Sequence, residues 1–230
     1  MKVTATESGL LVEGALGHGK IGWPDLYLAR IEAHTVSFIF LNQKRGDRTN
    51  HVRVPFAEAL EVLRSPFFPK WLVNPRQAVK EGLTENEAKF FGPPPTASWI
   101  EGVTSPGAEG FRPETNRMRA WFGIGVSRVG VFDKGVAFDT TRHDLDIVAL
   151  RGLVASSSRS VGDRYWFGIV NVDPEGSLAY VVTSVQARAI LELRPKTSWG
   201  LPDSVWMSLG MDTSGRVARP ALSSSSKPSA

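Results

Sequence analysis

The spacing of the apolar residues changes twice along this chain, at Pro55 and again at Met118. Before Pro55 they form short runs rich in β-branched and aromatic side chains, which are typical of strands. From Pro55 to residue 91 they recur three or four positions apart, as on one face of a helix. The strand pattern returns at Met118. These changes predict an α+β fold that is mainly β, with a short helical segment in the middle.

The same changes divide the chain into parts. We predict N-terminal β hairpins over 1–54, short helices over 55–91, a Pro/Gly-rich loop or linker over 92–117, an antiparallel β core over 118–210 and a disordered tail over 211–230. In the fourth part, five strand-like runs follow one another with short turns between them. This spacing favours an antiparallel β-sandwich or a partly closed barrel.

Local signals place some elements more closely. Strands are predicted at about 9–13, 26–41, 51–54 and 118–183, and helices mainly within 55–91. Asn74 before Pro75 predicts one helix start, and a capping box of Thr84 with Glu87 predicts another. Residues 184–194 stay open, because Val185, Ala189 and Leu193 keep helical spacing while Ala189 to Leu193 also reads as a buried strand.

Composition excludes several classes of protein. The chain has no cysteine, which excludes structural disulfides, cysteine-ligated zinc and thiol catalysis. It has no apolar run of about 18 residues, the length that a transmembrane helix needs, and its first residues lack the pattern of a signal peptide. We therefore expect a cytoplasmic protein. The formal net charge of +4 suits an anionic partner or simply a soluble basic protein.

The segment from Gly14 to Lys20 imitates a phosphate-binding loop. It matches the first seven positions of the G-x-x-x-x-G-K motif, but Ile21 stands where a Ser or Thr must hold magnesium. Gly22-Trp23-Pro24 then opposes the helix that should follow. We predict a glycine hairpin without specific nucleotide binding.

A second segment carries Asp139, His143, Asp144 and Asp146. Carboxylates beside a histidine suit a metal site or acid–base chemistry. All four lie between two neighbouring strand candidates, where turns favour aspartate for local hydrogen bonds. We predict that the aspartates are turn or surface residues, and we expect no catalytic residue, no metal site and no cofactor.

Basic residues recur beside aromatic residues. Arginine binds phosphate through its planar guanidinium, and aromatic rings stack on unpaired bases. The alternative is that the basic residues lie in solvent-exposed loops and the aromatic residues belong to the core. Of the tryptophans, Trp99 is the candidate for an exposed contact. The pattern predicts binding of single-stranded nucleic acid without sequence preference, through Lys44, Arg45, Arg48, Arg53, Arg117, Arg119, Arg128, Arg151, Arg159 and Arg164.

Four stretches follow one another in the second half of the chain: RAWFGIGVSRV, KGVAFDTTRHD, YWFGIVNVD and SWGLPDSVW. From Met118 onward this order resembles the movement proteins of plant RNA viruses, particularly the short ones of tombusvirus-like viruses. The last stretch is similar to a Leu-Pro-x-Ser-x-Trp segment near their C-terminus. Upstream, HVRVPFAEAL is similar to the Val-Pro apolar segment before their core.

The resemblance implies a β-rich core with an RNA-binding surface, cooperative RNA binding and no enzymatic activity. We expect a viral movement protein that binds single-stranded RNA and aids cell-to-cell transport. Further expected partners are host membrane or plasmodesmal proteins and other copies of the chain. The expected location is then the host cytoplasm and its plasmodesmata.

Two other classes stay open. A bacterial or phage β-domain that binds protein and not nucleic acid is the alternative, and it would look like a pleckstrin-homology-type domain if Ser184 to Arg194 is a helix capping an antiparallel sheet. A hydrolase that uses Asp139, His143 and Asp144 is the third class.

Overall fold

Strands dominate the computed structural model of the protein, which describes residues 2–14, 17–42, 48–102, 121–141, 144–157, 165–169 and 177–211. The strands form two three-stranded sheets and one seven-stranded sheet. Helices lie mainly between the second and third sheets in the chain. The predicted fold, α+β and mainly β, is confirmed.

The N-terminal part contains two antiparallel sheets. The first has the order β1 (Lys2–Thr6), β2 (Gly9–Gly14), β3 (Gly17–Gly22), and the second has the order β4 (Leu26–Glu32), β5 (Thr35–Asn42), β6 (Arg48–Pro55). The predicted strand regions at 9–13, 26–41 and 51–54 are confirmed, whereas β1 and β3 lie outside the predicted strand regions. β4 and β5 meet in a turn at Ala33 and His34, which have positive φ angles of 45° and 62°, as a tight hairpin turn of type I′ requires.

The predicted helical middle is also present. It contains α1 (Phe56–Arg64), α2 (Pro75–Lys80) and α3 (Glu85–Ala88). Asn74 caps α2 by accepting from the backbone N–H groups of Arg76 and Gln77, and Thr84 forms the predicted capping box with Glu87. These caps act within a few residues, so the sequence alone was enough to place them.

The third sheet contains the remaining strands: β7 (Ser98–Glu101), β8 (Trp121–Phe132), β9 (Gly135–Thr140), β10 (Leu145–Ala149), β11 (Leu153–Ser157), β12 (Tyr165–Ile169) and β13 (Ser177–Val182). Their order is β10-β9-β8-β13-β12-β11, with β7 also paired to β8. β8 pairs with β13 through its first half and with β7 and β9 through its second half. It therefore joins the two ends of the sheet.

From residue 92 onward the structure differs from the prediction in four respects. Part of the predicted loop at 92–117 is the strand β7. The run LDIVALRGLVA is two strands, because a 3-10 turn at Leu150–Gly152 separates β10 from β11. The β8–β13 pair is parallel, unlike the antiparallel pairing predicted for this core. Two further helices, α4 (Ser184–Leu191) and α5 (Asp203–Ser208), lie beyond the predicted helical region.

The sequence left residues 184–194 open between a helix and a buried strand, and the structure shows the helix α4 at Ser184–Leu191. Its start is a capping box in which Thr183 and Gln186 satisfy each other's backbone N–H groups. This reciprocal bonding favours a helix over a strand. The helix packs against β7 and β8.

One continuous apolar core contains residues from all three sheets and from α1, α4 and α5. A smaller cluster of Ala97, Phe132, Ala137 and Ile147 touches it through Trp71. Met211, at the start of the predicted tail, is buried; the rest of that tail lies outside the described residues. The shared core brings the N-terminal sheets against the third sheet, and two clefts lie along this contact.

Candidate functional site: a basic groove with two tryptophans

An open groove of about 440 Å³ lies where the first 3-10 turn, the second 3-10 turn and the third sheet meet. Trp23 comes from the turn Trp23–Asp25, and Trp71 comes from the turn Lys70–Leu72. The third sheet contributes Lys134 from the β9 hairpin and Arg151 from the turn before β11, and Arg194 follows α4. We call this the basic tryptophan groove.

Each tryptophan ring is held in place by contacts with residues behind the groove wall. Trp23 donates from Nε1 to the Thr6 carbonyl at 2.9 Å and meets the ring of Phe68 edge to face at 5.9 Å. Trp71 meets Phe132 edge to face at 5.4 Å. Both residues remain half-buried, so the two indoles form part of the groove wall.

The groove has an excess of positive charge. Lys134 is exposed, and the Arg151 side chain is 45% exposed. Two carboxylates offset part of this charge: Asp133 lines the groove, and Asp25 lies 3.6 Å from Arg151. Because that separation is long for a charge-assisted hydrogen bond, Arg151 can leave Asp25 for another anion at little cost.

Arg194 is held more firmly. Its Nη1 and Nη2 donate to the carbonyls of Leu150 and Leu153 at 3.1 and 3.0 Å. Its guanidinium carbon lies 3.6 Å from the ring centroid of Trp199. Nε is buried without a hydrogen-bond partner within the described structure, and burial lowers the pKa of Arg194 below its ordinary value.

A second cleft, of about 190 Å³, lies between the edge strands β4 and β10. Arg30 donates to Asp146 at 2.9 Å, and the Tyr180 hydroxyl donates to the same carboxylate oxygen at 2.7 Å. Burial lowers the pKa of Arg30, but attraction to Asp146, Tyr180 and Glu32 outweighs it and the pKa is raised. Burial, reinforced by Asp146, raises the pKa of Tyr180 well above its ordinary value.

The predicted acidic segment has a structural explanation. Asp139 lies in β9 and pairs with Arg128 at 2.7 Å, and Asp146 lies in β10. Both side chains are only 15% exposed, so the prediction that they are turn or surface residues is wrong. Asp144 is exposed and accepts from Gln77 at 3.0 Å. His143 lies outside the described residues.

The glycine segment forms the predicted hairpin. β2 and β3 pair from Gly9 with Gly22 to Gly14 with Gly17. A 3-10 turn follows β3 in place of the helix that a phosphate-binding loop needs. In the part of the chain that the structure describes, no group of three His, Asp or Glu residues is arranged to hold a metal ion.

The predicted nucleic-acid contacts fall in different places. Arg53 lies on β6 and donates to Ser37, Arg128 lies on β8, and Arg151 lines the groove. For Arg48 only the backbone, in β6, is described. The remaining predicted contacts lie outside the described residues: Lys44, Arg45, Arg117, Arg119, Arg159 and Arg164.

Trp99 is 37% exposed, as predicted, but it lies on the edge strand β7 and not in a loop. Arg128 lies over its ring at 4.6 Å. A Cβ atom at Gly130, the residue opposite it on β8, would come within 3.1 Å of the ring. The ring therefore covers a glycine in the sheet, a structural role for an exposed aromatic residue.

Sequence reasoning found Arg151 but missed Trp23, Trp71, Lys134 and Arg194 as members of one site. These residues are widely separated in the sequence, and only the packing of the sheets brings them together. Comparison with protein families gives no match, and comparison with curated proteins gives none either. Among the described helices, none combines the length and the apolar character that crossing a membrane requires.

Proposed function

We propose that this is a non-enzymatic protein that binds single-stranded RNA, without sequence preference, in the basic tryptophan groove. One observation carries the proposal. Lys134, Arg151 and Arg194, on three separate elements, converge on one groove whose wall contains Trp23 and Trp71.

The groove has the two components that single-strand binding uses. Cations attract the phosphate backbone, and aromatic rings offer faces on which unpaired bases stack, at about 1–3 kcal/mol per base. Base pairs in a duplex do not expose these faces, which favours single strands. Stacking and phosphate contacts also tolerate any base, which supports the proposed lack of sequence preference.

The resemblance to plant-virus movement proteins extends the proposal to transport of RNA between host cells. In that setting host membrane or plasmodesmal proteins and other copies of the chain would be further partners, at the plasmodesmata. The predicted arginines outside the groove would add phosphate contacts along the strand.

The test is a binding titration with unrelated RNAs of about 20 nucleotides, more than one groove spans, at about 50 mM and about 200 mM salt. The variant is Lys134→Ala with Arg151→Ala. We expect it to weaken binding roughly a hundredfold or more at low salt, because two charge-assisted hydrogen bonds of about 1.5–3 kcal/mol each are lost. Its salt slope should fall by about 1.4, or about 0.7 per lost phosphate contact.

A matched control removes the same charges elsewhere. Arg76 and Lys80 are exposed on α2 and do not line the groove. Arg76→Ala with Lys80→Ala should leave the slope nearly unchanged. Equal effects of the two double variants would refute the groove as the binding site, and no RNA binding by the wild-type protein at low salt would refute the function.

A second candidate is a protein-interaction module that resembles a pleckstrin-homology-type domain. It is favoured by α4, which is a helix packed against β7 and β8, the arrangement on which that resemblance depends. The same titration separates the two candidates, because this module would bind no RNA at either salt concentration.

A further inference from the structure

The segments that carry the groove cations meet at one residue, Leu150. Its N–H donates to the Lys134 carbonyl at 3.1 Å, and its carbonyl accepts from Arg194 Nη1 at 3.1 Å. Arg151 follows directly in the chain. The backbone of a single residue thus connects the three segments, which are distant in sequence.

Arg194 is built as a clamp on this turn. Its two terminal nitrogens bond the carbonyls of Leu150 and Leu153, one on each side of Arg151. Trp199 lies against its guanidinium and is itself fixed by a hydrogen bond from Nε1 to the Leu191 carbonyl at 3.0 Å. These donors are directed at the protein backbone, so the main role of Arg194 is not a phosphate contact.

We infer that Arg194 is a positioning residue, which holds the turn Leu150–Gly152 so that Arg151 and Lys134 face the groove together. The inference rests on the proposed RNA binding. A preformed pair of cations binds phosphate without the loss of entropy that ordering a loop and two long side chains would cost. Without the clamp, both cations remain in the protein but no longer act as a pair.

The first test is Arg194→Lys. Lysine keeps the positive charge, but its single ammonium group lacks the planar fork that reaches two carbonyls. We expect RNA affinity and salt slope to fall as far as in Lys134→Ala with Arg151→Ala. Near-wild-type binding by Arg194→Lys would overturn the inference, because a charge that contacts phosphate directly would be largely preserved.

A double-mutant cycle makes the test specific. If Arg194 acts through Lys134 and Arg151, the double alanine change should cause almost no further loss in the Arg194→Lys background. Additive losses would show that Arg194 acts independently of the pair and would refute the inference. A general loss of stability does not produce this non-additive pattern at temperatures where all variants are folded.

A second variant removes the hydrogen bond between the Leu150 N–H and the Lys134 carbonyl, and it leaves Arg194 unchanged. Leu150→Pro deletes the N–H that bonds Lys134. Leu150 is the first residue of its 3-10 turn, where proline is accepted. Ala149 before it has φ −66° and ψ 142°, an extended conformation that suits a residue preceding proline.

Leu150→Ala is the matched control, because it loses the side chain but keeps the N–H. We expect Leu150→Pro to bind RNA more weakly, and with a lower salt slope, than Leu150→Ala, which removes the same side chain from the groove wall. Equal binding by Leu150→Pro and Leu150→Ala would overturn the inference even if Arg194→Lys did not fold. If Lys134→Ala with Arg151→Ala weakens binding but the Arg194 and Leu150 variants do not, the inference fails while the proposed function stands.

Discussion

At the scale of single residues, Gly152 is a position where one methyl group would collide with the core. A Cβ atom built there would lie 2.2 Å from Cδ2 of the buried Tyr27. Contacts this short force the ring or the backbone to move, and overpacking of this kind costs about 1–3 kcal/mol.

We therefore expect Gly152→Ala to lower the free energy of unfolding by about 2 kcal/mol, measured by urea denaturation. Gly19→Ala is the control, because a Cβ atom at Gly19 meets nothing within 4 Å. Gly19 also belongs to the segment that imitates a phosphate-binding loop. A Gly152→Ala protein as stable as Gly19→Ala would show that the Tyr27 ring has room to move.

The buried hydroxyl of Tyr180 should make stability depend on alkaline pH. Its pKa is raised in the folded protein, whereas an unfolded tyrosine ionises near pH 10. The stabilisation is therefore fully present below about pH 10 and is lost as the pH rises toward the folded pKa. Over that range the free energy of unfolding should fall by about 1.4 kcal/mol per pH unit.

Tyr180→Phe isolates this effect. It keeps the ring, which stacks on Phe138 at 4.0 Å, but deletes the hydrogen bond to Asp146. At about pH 8 the variant should be less stable by about 1.5–3 kcal/mol, the contribution of a hydrogen bond to a charged group. At about pH 11 the difference should shrink, because only the wild-type protein loses the Tyr180 contribution. An equal difference at both pH values, in urea denaturation, would contradict the prediction.

At the scale of elements, one side chain fastens the edge strand β7 to the helix α4. Gln186 is fully buried; its Oε1 accepts from the Thr183 N–H, and its Nε2 donates to the carbonyls of Ile100 and Gly102 at 3.3 and 3.1 Å. The amide is thus both the second half of a capping box and the partner of two strand carbonyls. A helix side chain, and not another strand, thus supplies the hydrogen-bond donors for these two carbonyls.

Gln186→Glu separates these two roles. Glutamate still accepts from Thr183, but its carboxylate faces two carbonyl oxygens and offers no donor. We expect a loss of about 3 kcal/mol or more at neutral pH, because a buried charge is left without a partner. The loss should become smaller in acid, where the protonated carboxyl group regains a donor.

The control is Glu87→Gln, at the same capping-box position of the exposed helix α3. Its effect should be much smaller than that of Gln186→Glu, because exposed pairs contribute little to stability. Thermal or urea unfolding at about pH 5 and about pH 8 makes the comparison. A Gln186→Glu protein with wild-type stability would mean that β7 does not depend on this amide.

At the scale of the whole molecule, Arg30 and Asp146 join the N-terminal sheets to the third sheet. Their side chains are 16% and 15% exposed and lie on the facing edge strands β4 and β10. Removing one partner of a buried pair costs about 3–5 kcal/mol, because the other charge stays uncompensated. We therefore expect Arg30→Met to be strongly destabilising, and Arg30→Met with Asp146→Asn to lose less than the sum of the single changes.

The same variants test whether the protein unfolds as one unit. Because one apolar core contains all three sheets, tryptophan fluorescence and far-UV circular dichroism should report coincident urea transitions in the wild-type protein. Arg30→Met should move both transitions together. Two separate transitions would show that the sheets are independent folding units.

The sequence predicted what short-range rules decide. The caps at Asn74 and Thr84 placed α2 and α3, and the strand pattern placed β4 and β5, because each signal acts within a few residues. It left residues 184–194 open, because the apolar spacing there fits a helix and a buried strand alike. The capping box of Thr183 with Gln186, a local signal that apolar spacing does not include, favours the helix. The groove also escaped prediction, because Trp23, Trp71 and Arg194 share no local pattern and meet only after the sheets pack.

The pairing of β8 also has a consequence for how the protein is made. Its first half lies next to β13, the last of the described strands to leave the ribosome. At synthesis rates of about 5–20 residues per second, that flank of β8 waits unpaired for seconds after the strand has emerged. An open apolar edge is a template for association with other nascent chains. The nascent chain is therefore open to association with other chains for seconds during synthesis, until β13 covers this edge.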